Sequence, residues 1–94
     1  MIFRSKVERL ATGMLEKLID RSEASDSVKN LFFEKSYWNT FLDILHEQCN
    51  KIETRRGMLV FGDTELKQYI GVRLVEYMRT VVSVLEKQVQ DGPK

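Results

Sequence analysis

Apolar residues recur at helical spacing in the first part of the chain. They fall at i, i+3, i+4, i+7 and i+11, which places them on one face of a helix: Val7, Leu10, Ala11, Met14 and Leu18. Ser5 and Glu8 have the spacing of a capping box, so they predict that the helix begins there. The polar residues 20–27 predict that this helix ends and that the next one begins near Asp26.

The middle of the chain carries a second helical stripe of apolar residues: Trp38, Phe41, Leu42, Leu45, Cys49 and Ile52. Two interpretations fit it. One is a single helix across 26–54, and the other is a short helix ending near Lys35 with Ser36 capping a second helix. The run 36–40 contains residues that form helices weakly, which favours the break.

The last segment predicts the longest helix. Asp63 is a favourable N-cap, and Glu65 places a negative charge in the first turn, near the positive end of the helix dipole. The helix is predicted to run from about Thr64 to Gln90, with the Gly and Pro within 91–94 stopping it. About half of its circumference is apolar: Leu66, Ile70, Leu74, Val75, Tyr77, Met78, Val81, Val82, Val84, Leu85 and Val89.

The length of this helix bears on the shape of the molecule. About 26 residues at 1.5 Å per residue make a helix of about 39 Å, whereas a compact globule of 94 residues has a diameter of roughly 32 Å. The sequence therefore predicts an all-α protein, an elongated three- or four-helix bundle with a long, central C-terminal helix. A single domain over 1–94 is expected, with self-association as one way to cover the surplus apolar surface.

A short apolar run, Met58-Leu59-Val60-Phe61, lies between two glycines before the final helix. Its residues have strand propensity, but the chain offers no second strand to pair with it. We expect a short extended connector at 58–61 whose side chains close one end of the bundle. The alternatives are a strand that pairs across an interface, with Met58, Val60 and Phe61 binding a partner, and a reactive or ligand-gating loop.

Composition and charge exclude several classes of protein. The apolar fraction is 43% and the charged fraction 31%, as in folded globular proteins. The formal net charge of +1 provides no general attraction to nucleic acid or to anionic membranes. Because Arg4, Lys6, Glu8 and Arg9 interrupt the first residues, no apolar region of a signal peptide is expected there, and no apolar run reaches the roughly 18 residues of a membrane span. With Cys49 as the only cysteine, a cytoplasmic location is expected.

Candidate chemistry is limited to one group on the middle helix. Asp43, His46 and Cys49 lie at i, i+3 and i+6, so His46 and Cys49 are close enough for contact. A structural zinc site needs four ligands, and the chain has one histidine and one cysteine. Because Cys49 lies on the apolar stripe, we expect a core thiol beside a boundary histidine. No catalytic residue, metal or cofactor is predicted.

Two further groups of residues are candidates for binding. Lys51, Arg55 and Arg56 form a basic cluster that would contact phosphates, although acidic residues are interspersed and basic side chains also stabilise a helix C-terminus. Phe33, Tyr37 and Ile44 line up opposite the core stripe if the middle helix is continuous, where they would form an interface or join a second buried side.

The surplus of apolar helix surface favours a small non-enzymatic protein–protein interaction module: an adaptor, an inhibitor or an assembly subunit. A homodimer is the expected assembly, and the identity of any other protein partner is not predicted. The first alternative is a nucleic-acid-binding regulator that uses the basic cluster around 51–56, although nucleic acid is the less favoured partner. The second is an enzyme or metal protein centred on His46 and Cys49.

Overall fold

The computed structural model describes residues 1–90, and within them the chain forms helices and no strands. The predicted stop at 91–94 lies outside the described residues. The all-α prediction is confirmed, with four helices: α1 (Arg4–Arg21), α2 (Asp26–Phe32), α3 (Lys35–Arg56) and α4 (Asp63–Gln90).

The start of α1 differs from the predicted capping box. Phe3 is the residue before the first turn and makes no side-chain cap. Ser5 lies inside the helix, and Glu8 pairs with Arg4 at 3.4 Å instead of reaching back to the backbone. The entering chain is held by tertiary contacts, since Ile2 is buried and its amide donates to the side chain of Asn50 at 2.8 Å. These contacts set the helix start, which a local motif alone could not predict.

The middle segment is broken into two helices, as expected, although the weakly helix-forming residues 36–40 lie inside α3 and not at the break. The break falls at Phe33 and Glu34, and α2 begins at Asp26 behind the N-cap Ser25. Ser36 is not the cap of α3, contrary to the prediction. The carboxylate of Glu34 caps the helix by accepting from the Ser36 amide at 3.0 Å and from the Ser36 hydroxyl. These hydrogen bonds, the hydroxyl first, lower the pKa of Glu34.

The connector between α3 and α4 is a compact turn rather than an extended segment. Gly57 ends α3 with a φ of +86°, a conformation that glycine adopts without steric cost. Its carbonyl accepts hydrogen bonds from the amides of Val60 at 3.3 Å and Phe61 at 2.9 Å. Because these backbone groups are satisfied within the turn, they need no partner strand. The pairing of 58–61 across an interface therefore has no support in the fold.

Polar contacts define the directions of the long helices. Arg4 pairs with Asp43 of α3 at 2.9 Å, and the N-terminal amine pairs with Glu53 farther along α3 at 2.6 Å. Lys6 pairs at 2.8 Å with Asp63, the first residue of α4. The helix α1 consequently runs parallel to α4 and antiparallel to α3. Asp63, predicted to be an N-cap, binds another helix instead, and the hydrogen bond from Lys6 lowers its pKa.

The helix α4 is central and longer than its neighbours. It packs against α1, α2 and α3. Its 28 residues span about 42 Å and the 18 residues of α1 about 27 Å, so α4 continues beyond the end of α1, and α2 packs against that continuation. The molecule measures 54 × 25 × 18 Å, with a radius of gyration of 14.9 Å against about 12 Å for a compact chain of this length. The elongated bundle is confirmed.

Candidate functional site

The residues predicted to form an interface on α3 are separated by the break before that helix. Phe33 lies outside α3 and turns toward the core, where its ring meets Trp38 edge to face at 5.1 Å. Tyr37 is half-buried, and Ile44 is exposed over half of its surface. Tyr37 and Ile44 line one groove between α3 and α4. The structure thus brings together two of the three predicted residues.

This α3–α4 groove, of about 470 Å³, is mixed in character. Its apolar floor includes Phe41 and Tyr77, whose rings lie 4.5 Å apart. Its rim carries an ion pair between Arg73 and Glu76 at 2.6 Å, and Arg73 also lies over the ring of Tyr69 at 5.1 Å. An occupant of this groove would have to compete with water for the charged rim.

The connector exposes two of its three predicted binding residues to solvent and buries the third. Met58 and Val60 are exposed, as is Leu59 between them. Phe61 is only 6% exposed and packs edge to face with Tyr69, with 6.3 Å between ring centroids. The turn directs Phe61 into the core of its own chain, so the prediction that Phe61 binds a partner is not supported.

A second groove lies between α2 and the C-terminal part of α4, with a volume of about 450 Å³. Among residues 1–90 its lining has a single charged member, Glu86: Val28, Leu31, Phe32, Val82, Leu85, Glu86 and Val89. Four of the apolar side chains, Val28, Leu31, Val82 and Val89, are between 38% and 82% exposed. We call this set without Glu86 the α2–α4 surface. It forms because α4 continues beyond α1 and α2 packs against the continuation.

The α2–α4 surface was not assigned as a site from the sequence. The length of α4 and its wide apolar face indicated that some surface would stay uncovered. The position of α2 was the missing information, because Val28 and Leu31 are nearly in phase with the core stripe of the middle segment. Only the break at Phe33 and Glu34 sets α2 against α4 and combines the two sets of residues.

Asp43, His46 and Cys49 each make different contacts in the fold. Asp43 pairs with Arg4, and the Nε2 atom of His46 lies 2.7 Å from the carbonyl oxygen of Ile2. Cys49 is fully buried, and burial raises the pKa of its thiol to about 11, which keeps it protonated and poorly nucleophilic at neutral pH. Within residues 1–90 no cluster of three potential metal ligands occurs. Asp43 and His46 hold the N-terminal residues against α3, and Cys49 packs in the core.

The basic cluster lies at the end of α3. Lys51 pairs with Glu47 at 3.1 Å. Arg55 and Arg56 are exposed in the last turn, and neither forms an ion pair with another part of the chain that the structure describes. Their position allows both to interact favourably with the negative end of the helix dipole.

None of the helices within residues 1–90 combines the length and apolar character needed to cross a membrane. The long helix α4 has charged residues throughout, among them Arg73, Arg79 and Glu86. No known protein family, curated protein or solved structure matches the chain.

Proposed function

We propose that the protein is a small non-enzymatic protein–protein interaction module that binds a partner through the α2–α4 surface. The observation that carries this proposal is the surface itself, a groove that the described part of the chain lines with six apolar residues and one charged residue. A concave surface lined mainly by apolar side chains with few polar groups is the usual form of a binding site. Hydrophobic burial, which supplies the main driving force for association, would favour its occupation.

The other surfaces support a binding role less strongly. The α3–α4 groove has a charged rim in Arg73 and Glu76, which reduces the gain from excluding water there. A nucleic-acid-binding role would depend on Lys51, Arg55 and Arg56, and Glu47 already neutralises one of these. Together with a net charge of +1, this leaves few phosphate contacts to supply affinity.

An adaptor, an inhibitor or an assembly subunit would each use such a surface, and each requires only binding. The lack of a reactive environment around His46 and Cys49 supports a non-enzymatic role. The cytoplasm is the location that fits this proposal, since Cys49 is a free, buried thiol.

Affinity capture with a matched pair of variants tests the proposal. Leu31→Asp places a charge on the α2–α4 surface, whereas Leu59→Asp places the same charge on the exposed connector. The tagged chain is used as bait in native lysate that also contains an untagged copy. We expect wild type and Leu59→Asp to retain the same proteins, and Leu31→Asp to lose them because an unpaired charge opposes burial.

Circular dichroism of each bait confirms that the helices are intact. Identical captured proteins for wild type and both variants would mean that the α2–α4 surface binds nothing, and the proposal would be withdrawn.

A further inference from the structure

The exposed side of α4 carries a second apolar pattern beside its core face. Six residues are spaced alternately by three and four positions, which we call the outer stripe: Val72, Val75, Arg79, Val82, Glu86 and Val89. All six are exposed, and the four valines are between 40% and 82% exposed. Alternation of three and four is the spacing of the a and d positions along which two helices pair in a coiled coil.

The outer stripe is separate from the residues that α4 contributes to its own core. Those residues are buried and lie on the opposite face: Leu66, Ile70, Leu74, Tyr77 and Val81. A seven-residue repeat drifts by about 20° per repeat around a straight helix. At its C-terminal end the stripe therefore reaches α2, where Val82 and Val89 also line the α2–α4 surface.

The two charged members of the stripe discriminate between parallel and antiparallel pairing of two α4 helices. Arg79 and Glu86 are seven residues apart and hence occupy equivalent positions in the repeat. In a parallel pair of α4 helices, Arg79 would face Arg79 of the second copy and Glu86 would face Glu86. Both contacts bring like charges together, which is destabilising. In an antiparallel pair centred between residues 80 and 81, Arg79 faces Val82 of the second copy and Glu86 faces Val75.

Antiparallel pairing also makes the charges complementary. Arg79 of one copy then lies one helical turn from Glu86 of the other, a separation of about 6 Å along the axis, and the contact occurs twice because of the two-fold symmetry. The same register aligns Val72 with Val89 of the second copy. Each of the six positions of the stripe then has a partner position on the second copy: two layers pair valine with valine, and four pair a valine with a charged residue whose opposite charge lies one turn away.

We propose that the occupant of the α2–α4 surface is a second copy of this chain, with the two α4 helices paired antiparallel along the outer stripe. Val72 and Val75 of each copy then face Val89 and Glu86, which line the groove of the other. This inference rests on the proposed function and names its partner.

Reversing the charges of Arg79 and Glu86, singly and together, tests the antiparallel pairing. Sedimentation equilibrium of the wild type is expected to give twice the 11.0 kDa mass of one chain. Arg79→Glu and Glu86→Arg each place like charges together across the interface and should raise the dimer dissociation constant about tenfold. The double variant restores opposite charges and should return the constant to the wild-type value.

Two outcomes would overturn the proposal. One is a wild-type monomer throughout the accessible concentration range. The other is a dimer whose dissociation constant is unchanged in both single variants, because a parallel pair keeps its like-charge layers after either substitution. Since Arg79 and Glu86 are exposed, the variants should fold, which circular dichroism verifies.

Disulfide trapping tests the register independently. A Val72→Cys chain mixed with a Val89→Cys chain should form a disulfide-linked heterodimer under oxidising conditions, because the two positions face each other. Neither variant alone should form a linked dimer, since residues 72 and 89 are about 26 Å apart along the helix. Linkage of Val72→Cys chains with one another would contradict antiparallel pairing. The native Cys49 is buried and serves as an internal unreactive thiol.

The outcome also separates this inference from the proposed function. If the wild type is monomeric and Leu31→Asp still abolishes capture of other proteins, the second copy is the wrong occupant and the interaction module stands. If Leu31→Asp changes neither capture nor dimer formation, both proposals fail.

Discussion

Cys49 and His46 are neighbours on α3, yet their surroundings differ sharply. Cys49 is enclosed in the core, whereas His46 is half-buried at the boundary beside the carbonyl of Ile2. A sequence motif places such residues one helical turn apart without indicating which way the helix is turned. The environment, and not the spacing, makes this thiol a core residue.

Burial of Cys49 has a consequence for stability at alkaline pH. Its pKa is raised from 9.0 to about 11 in the folded protein, so between these values the unfolded chain loses the proton and the folded chain keeps it. The folded state then binds more protons, and its stability falls as pH rises across this window. We expect urea denaturation to show a steeper loss between pH 9 and 11 for the wild type than for Cys49→Ala.

The comparison with Cys49→Ala removes the contributions of other groups that titrate at alkaline pH. Equal slopes for the two proteins would show that the thiol ionises as readily in the folded protein as in the unfolded chain.

At the level of elements, α2 is the part whose existence depends most on tertiary contacts. Seven residues are too few for an isolated helix to be stable in water. Its C-terminal end is fixed by the hydroxyl of Tyr77 on α4, which donates to the carbonyl of Phe32. Burial raises the pKa of Tyr77 to about 12, so the hydroxyl remains a donor throughout the neutral range.

Removal of this hydroxyl should loosen α2. We expect Tyr77→Phe to lower the free energy of unfolding by about 1–2 kcal/mol, because the carbonyl of Phe32 loses its buried partner. Tyr69→Phe is the matched control, since that hydroxyl donates at 2.9 Å to the side chain of Gln48, which is partly exposed and can bind water instead. Urea denaturation measures both, and an equal loss in the two variants would argue against a special role for Tyr77.

The whole molecule is unevenly packed along its length. The helices α1 and α3 pack against the first part of α4, whereas α2 packs against the continuation, and beyond Val81 no side chain described for α4 is buried. Regions with few buried contacts open at lower free energy than the rest of a protein. The end that carries the α2–α4 surface is therefore the least stable part of the bundle.

Amide hydrogen exchange should reveal this gradient. At protein concentrations where the chain is monomeric, we expect α2 and residues 82–89 to exchange at least roughly tenfold faster than residues 66–81. At concentrations where the dimer forms, residues 72–89 should become more protected because the outer stripe is covered. Uniform protection along α4 at low concentration would contradict the gradient inferred from packing.

The sequence by itself determined the class of fold, the number of long helices and the elongated shape. Hydrophobic periodicity identifies helices, and a break in the middle segment was favoured, although it lies at Phe33 and Glu34 and the weak helix formers at 36–40 are helical. The length of the last segment alone implied a helix that outgrows a compact domain. These properties depend on residues close together in the chain, which is why local patterns predict them.

Tertiary structure decided the remaining features. It replaced the predicted caps at Ser5 and Ser36, folded 58–61 into a turn that buries Phe61, and separated Phe33 from Tyr37 and Ile44. It also formed the α2–α4 surface by bringing together residues fifty or more positions apart. Such placements follow from how helices pack against one another, and packing depends on contacts distant in sequence that no local pattern contains.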